Sequence, residues 1–438
     1  MSIRPHLKRT RRQLLSLNVW KLRLVFWSSA MLIGITAAIF ALGSGFADTL
    51  YHRLYAYSAP LALGLTPIAL ACIAWLTTRY FVGTEGSGIP QAIAALSIRD
   101  GALRSSVLSL RIAIGKIFLT CLGLLSGASI GREGPTVHVG ASLMYAVRHF
   151  ISLRSRDMHH ALILAGGAAG ISAAFNTPLA GILFAIEEMS RRFEEKTSGV
   201  LIIAVVLSGI TALSILGNYT YFGSTTATLP ITSPMALLAI MTCGIVGGLV
   251  GGLFSQSLIF GTQRLAPFAR RSPVLLAFVC GLLISLIAFL SDGHTYGTGY
   301  DEARQLVTGQ EQGSLLYPLY KMLATVASYL SGIPGGIFAP SLSVGAGIGA
   351  DLAQVFHTLP MQALVLLGMV SYFTGVVQTP ITAFVIVMEM TDSSSLLLPL
   401  MAAALIAKGS SHLVCPKPIY QALAEAYLAK TGAQTDKN

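Results

Sequence analysis

Charge is scarce in this sequence. Only 11% of its 438 residues are Asp, Glu, Lys or Arg, while 54% are hydrophobic; a soluble domain carries about 25% charged residues. That balance excludes an ordinary soluble protein and points to a chain that crosses the bilayer many times. Cysteine is sparse as well: Cys72, Cys121, Cys243, Cys280 and Cys415 are scattered, and no C-x-x-C pair occurs. Neither a disulfide framework nor a metal site follows, and the cysteines read as small buried hydrophobes. His138, His159, His160 and His294 stand outside any H-E-x-x-H spacing, so no metal is expected. Acid is missing from residues 1–23, which hold Arg4, Lys8, Arg9, Arg11, Arg12, Lys21 and Arg23. The positive-inside rule therefore puts the N-terminus in the cytoplasm. The net charge of +11 reads as topology and contact with anionic lipid. Nucleic-acid binding is not indicated, because the basic residues are not interleaved with aromatics. No small-residue cleavage site follows the first apolar run, so the N-terminus is a poor signal peptide.

The apolar runs are repeatedly interrupted. Gly131-Arg132-Glu133-Gly134-Pro135 closes the run Ile112–Ile130, and Pro135 reads as a helix start preceded by unwound glycine backbone. Unpaired N–H groups and the positive end of a helix dipole then lie at membrane depth, where they attract an anion. Gly336-Ile337-Phe338-Ala339-Pro340 repeats the device 205 residues later. A second pair supports a duplication: Pro178 and Glu187, and Pro380 and Glu389, each lie nine residues apart, with an offset of 202 between the pairs. Gly83–Pro90 is a further interrupted start. Interruptions at matching positions of two halves point to a transport site where the repeats meet. Irregular backbone is tolerated in a membrane only where it lines a cavity or is buried in protein. The expectation is an all-α polytopic membrane protein with short, broken helices; the long apolar runs exclude a β-barrel. Its parts are a basic segment 1–23, a first repeat 24–216, a linker 217–233 rich in Thr, Ser, Gly and Pro, a second repeat 234–415 and a C-terminal segment 416–438.

With Gly86-Ser87-Gly88-Ile89-Pro90, Gly131-Arg132-Glu133-Gly134-Pro135, Gly336-Ile337-Phe338-Ala339-Pro340 and a late Tyr420, the chain resembles the CLC family of chloride channels and chloride/proton antiporters. The three stretches occur in the family's order, and the likeness runs from Val25 to Leu428. It implies two inverted-topology halves of tilted helices, and a homodimer with one pore per subunit. It also implies a central chloride site made by Ser87, Ile337, Phe338 and Tyr420, with an outer site at the amides of Gly134, Phe338 and Ala339. Partial charges suit such a site, since a full cation would hold the ion too long to conduct.

A carboxylate at membrane depth costs about 2.5–3.5 kcal/mol on insertion scales, so Glu133 is a functional residue by default. By the resemblance it is the external gate and proton acceptor, competing with chloride until protonated; a structural pair with Arg132 is the competing reading. The resemblance likewise makes Glu188 the internal proton carrier, with Glu187 its neighbour, against a solvated helix end beside a charged loop. Arg132 reads as scaffold and outer-mouth charge, and Lys116 as a buried partner or a snorkelling cation. The expected activity is chloride/proton exchange without a cofactor. The runner-up is a passive chloride channel, and a fluoride/proton exchanger ranks lower because Ser87 and Tyr420 match the chloride pattern. Ser129 carries a faint resemblance to an intramembrane serine protease, but Ile130 follows it where such enzymes want Gly, so an enzyme is not expected. Eighteen residues follow Tyr420, so no cytoplasmic nucleotide-binding pair is expected, and the short chain suggests a bacterial inner membrane.

Overall fold

The computed structural model describes residues 17–150, 156–190, 195–217, 220–310 and 314–432. The arginines and lysine expected to fix the N-terminal orientation at positions 4 to 12 lie outside them. Eight described helices are long and apolar enough to cross a membrane, and others are too short to do so alone, so the chain is a multi-pass membrane protein of broken helices.

The first half contains α1 (Leu17–Tyr57), α2 (Ala59–Arg79), α3 (Ile89–Ser97), α4 (Gly101–Val107), α5 (Leu110–Leu125), α6 (Glu133–Ala146), α7 (Arg156–Phe175), α8 (Pro178–Phe184) and α9 (Glu195–Leu216). The second contains α10 (Pro234–Arg271), α11 (Pro273–Leu290), α12 (Tyr300–Thr308), α13 (Tyr317–Leu330), α14 (Phe338–Val355), α15 (Met361–Val377), α16 (Pro380–Thr391) and α17 (Leu397–Val414), after which α18 (Ile419–Thr431) ends the described chain. The halves correspond helix for helix from α5–α9 to α13–α17.

Close helix packing follows from small residues set at equivalent places. A Cβ on Gly345 of α14 would stand 2.7 Å from the Gly368 carbonyl oxygen of α15, and one on Gly140 of α6 would collide with the carbonyl of Gly166 on α7. Without a hydrophobic drive between helices in lipid, such close approach of backbones supplies the packing energy.

The helix starts differ from expectation by two residues. Pro135 and Pro340 stand at the third helical position rather than the first, because α6 begins at Glu133 and α14 at Phe338. A proline there removes only an N–H that has no intrahelical acceptor anyway. The chain is helical again from Arg156, so His159 and His160 belong to α7, while positions 151 to 155 lie outside the described residues.

Two buried lysines pin the glycine loops. Lys116 of α5, fully buried, donates from Nζ to the carbonyls of Thr84 and Gly86, both at 2.9 Å. It does not snorkel. Lys321 of α13 is its counterpart 205 residues on; it donates to the carbonyls of Thr295 at 3.0 Å, Tyr296 at 3.2 Å and Gly297 at 3.0 Å. Removing one partner of a buried hydrogen bond costs about 1–3 kcal/mol per orphaned group. Lys321→Met should therefore lower the thermal unfolding midpoint in detergent by several degrees, and an unchanged midpoint would show that those carbonyls find other donors.

Candidate functional site

The two interrupted stretches meet. Gly131 N–H donates to the Gly336 carbonyl and Gly336 N–H donates to the Gly131 carbonyl, each at 2.7 Å. A third loop joins them, with Gly86 N–H on the Ile333 carbonyl and Gly335 N–H on the Gly86 carbonyl, both at 3.2 Å. Backbone that would otherwise be orphaned in the membrane interior is satisfied between the halves. Glycine is needed because the chains nearly touch: a Cβ on Gly336 would lie 3.1 Å from both the Gly131 oxygen and the Gly134 nitrogen.

This clasp gathers three helix N-termini, those of α3, α6 and α14, around one buried point. In α14 the first intrahelical bond is from Ser341 N–H to the Ile337 carbonyl at 3.0 Å, and in α6 from Thr136 N–H to the Arg132 carbonyl at 2.9 Å. The amides of Ile337, Phe338, Ala339 and Gly134 precede those bonds and have no intrahelical acceptor. Ser87 and Tyr420 add hydroxyls, both fully buried. The two lie close enough to polarise one another, yet neither closes a hydrogen bond of good geometry within the described protein. A buried hydroxyl without a partner is costly, and an anion would satisfy both. Gly88, at φ 99°, lets the Ser87 loop turn into α3. From the far end of α18, Lys430 pairs with Glu85 at 2.9 Å, fastening the helix that carries Tyr420 to the loop that carries Ser87.

Glu133 is completely buried. Its Oε1 accepts from the Tyr221 hydroxyl at 3.0 Å, and the carboxyl lies near its own amide and that of Ala339. It thus occupies ground where the helix ends favour a negative charge. The Arg132 guanidinium lies 5.9 Å from the Tyr221 ring centre, donates to Ser44 Oγ at 3.2 Å and stands within electrostatic reach of the Glu133 carboxyl. With Asp48, Tyr221 and Tyr300 it lines a cavity of about 300 Å³.

Glu188 is buried within electrostatic reach of Tyr420, so it is not a solvated helix end. It sits in a π-helical turn, Ala185–Ser190, continuous with α8. Glu187 turns elsewhere, accepting from the amides of Ile381 at 3.3 Å and Thr382 at 2.7 Å. Among the described residues no group of His, Cys, Asp or Glu is placed to hold a metal.

Residues 68–412 match the family described as voltage gated chloride channel. The chain belongs to this family. Two relatives, each named H(+)/Cl(-) exchange transporter ClcA, come from Yersinia pestis bv. Antiqua (strain Angola) and Yersinia pseudotuberculosis serotype O:3 (strain YPIII); each is 33% identical over 391 residues, 85% of this chain and 79% of the relative. A slow cyanobacterial Cl−/H+ antiporter shares the fold with a TM-score of 0.80 and 25% identity, over 94% of this chain and 99% of its own. A CLC-type fluoride/proton antiporter has the same fold, with a TM-score of 0.77 and 24% identity over 92% of this chain and 97% of its own.

Three participants escaped the sequence reading. Lys321 was signalled by its spacing from Lys116. Glu389 was visible as the mate of Glu187, though not its role. Tyr221 had no signal, since it falls in a stretch that reads as linker; there it is buried, in edge contact with Phe175 at 5.2 Å and with Tyr300 at 5.2 Å. A hydrogen bond to a charged group contributes about 1.5–3 kcal/mol. Tyr221→Phe should therefore loosen the hold on Glu133 and raise chloride flux in proteoliposomes at neutral pH several-fold; flux equal to wild type would show that the phenol restrains nothing.

Proposed function

We propose that this protein exchanges chloride for protons across the membrane, with Glu133 as external gate and proton acceptor and Glu188 as the internal proton carrier. The observation that carries the reading is a buried carboxylate at the same helix ends whose free amides suit an anion. Chloride and the Glu133 carboxylate compete for one positive potential. Protonation of Glu133 removes its charge, weakens its attraction to the amides of Ala339 and Glu133, and frees the ground for chloride. Loss of the proton reverses the exchange of places, which links the two fluxes.

The central ion takes the amides of Ile337 and Phe338 and the hydroxyls of Ser87 and Tyr420, and the outer ion takes the amides of Gly134, Phe338 and Ala339. Only partial charges face it, so it is held without being trapped. Arg132 raises anion concentration at the outer mouth. Lys116 supports the site indirectly by fixing the Ser87 loop. A buried Glu188 near Tyr420 supports exchange over passive conduction, because it supplies a proton station on the other side of the ion path from Glu133. No cofactor takes part in this scheme, and the chain acts as a transporter rather than an enzyme.

The protein is assigned to a bacterial inner membrane with its N-terminus in the cytoplasm, as a homodimer with one pore per subunit. Exposed apolar side chains on α9 and α17, among them Ile203, Ile210, Leu398 and Leu405, suit a lipid or partner-subunit surface.

Proteoliposomes followed simultaneously for chloride and pH test the reading. A chloride gradient should drive protons uphill in the opposite sense; chloride flux with no proton movement would leave a passive channel and end the exchanger reading. Glu133→Gln and Glu188→Gln should each abolish proton transport while chloride still passes, and Tyr420→Ala should loosen the ratio of the two fluxes.

A further inference from the structure

Glu187 and Glu389 do the same thing in opposite halves. Glu389, at the end of α16, accepts from the amides of Leu179 at 3.2 Å and Ala180 at 2.8 Å, at the start of α8. Glu187, just beyond α8, accepts from the amides of Ile381 at 3.3 Å and Thr382 at 2.7 Å at the start of α16, and from the Thr382 hydroxyl at 2.8 Å. Each carboxylate thus caps the helix that carries the other, satisfying orphan donors and the dipole of its partner. The paired spacing of proline and glutamate in both halves encodes this reciprocity.

The symmetry stops at the next residue. Glu188 is matched by Met390, 202 residues on, and α16 runs as regular helix to Thr391 while α8 gives way to a π-helical turn. A π-turn inserts a residue into the helical register and is frequent at functional sites. Glu187 faces the α16 terminus and Glu188 the interior near Tyr420, as neighbouring helical residues face different ways. Met390 in the other half is fully buried among apolar neighbours and needs no such turn.

We propose that Glu187 and Glu389 are positioning residues for proton transfer: their reciprocal clasp holds the π-turn so that Glu188 faces the ion path, and neither of them carries the proton. The proposal rests on the exchanger reading above. It distinguishes adjacent carboxylates that composition alone would class together as a proton relay.

The test is the proton-to-chloride flux ratio in proteoliposomes. In Glu389→Gln the ratio should fall about tenfold, the effect of losing about 1.4 kcal/mol of positioning, with chloride flux kept. Glu389 is remote in sequence from Glu188 and bonds the amides of Leu179 and Ala180, so a loss of this kind reports orientation. Adding Glu389→Gln to Glu188→Gln should change neither flux further. Should Glu389→Gln fail to fold, Thr382→Val removes one donor at nearly constant shape and should lower the ratio, while Thr382→Ser, which keeps the hydroxyl, should restore it. A ratio equal to wild type in Glu389→Gln or Thr382→Val, or chloride and proton flux falling in parallel, would overturn the clasp alone. Proton transport surviving in Glu188→Gln would overturn the assignment of Glu188 together with it.

Discussion

Gly131 and Gly336 exchange a pair of backbone hydrogen bonds at 2.7 Å, and through them the broken helices of one half are spliced to those of the other. In a bilayer every backbone donor and acceptor has to be satisfied internally. An interrupted helix is therefore permissible only where protein or a cavity receives its free groups, and here another interrupted helix does so. Once the two are joined, the amides left over at the start of α6 and α14 have no intrahelical acceptor, and the Glu133 carboxyl lies against two of them. The proposed anion affinity thus follows from the way the breaks are repaired, without a formal positive charge among the donors assigned to the ion.

The frame is symmetric and the chemistry is not. Lys116 and Lys321 pin equivalent loops, Gly140 and Gly345 admit equivalent helix contacts, and Glu187 and Glu389 cap equivalent helices. Function is read from the places where the halves diverge. Glu133 is matched by Phe338, so one helix N-terminus presents a carboxylate and the other an aromatic ring packed 4.2 Å from Phe373 and 5.0 Å from Phe175. Glu188 is matched by Met390. Both titratable residues of the proposed pathway fall in the first half; of the proposed donors, Ile337, Phe338 and Ala339 belong to the second half and Tyr420 to the segment after it. A duplicated scaffold can lose symmetry at such positions because neither side chain is needed for the clasp itself.

Much of this was legible in the residues. Breaks in membrane-length apolar runs, and their recurrence at fixed offsets, announced both the repeat and the place where the halves meet. The stretches around Ser87, Glu133 and Phe338 could be named because glycine and proline at close spacing admit few backbone paths. What stayed hidden depends on neighbours that no local pattern encodes. Tyr221 lies in a polar stretch whose composition suits an exposed connection, yet Phe222 N–H is bonded to the Met390 carbonyl at 3.1 Å, which draws the stretch into the interior. The π-turn that carries Glu187 and Glu188 was hidden as well, because no residue preference marks one. Helix starts were placed two residues late because proline is tolerated anywhere in the first turn.

The central claim is that the ends of α6 and α14, clasped through Gly131 and Gly336, form an anion site for which Glu133 competes. Crystals grown with bromide in place of chloride test it directly through the anomalous signal of the ion. The account predicts a peak among the Ile337 and Phe338 amides and the Ser87 and Tyr420 hydroxyls, with a further peak appearing at the carboxylate position when Glu133 is replaced by Gln. Bromide bound only at the surface, or a peak pattern indifferent to that replacement, would contradict it.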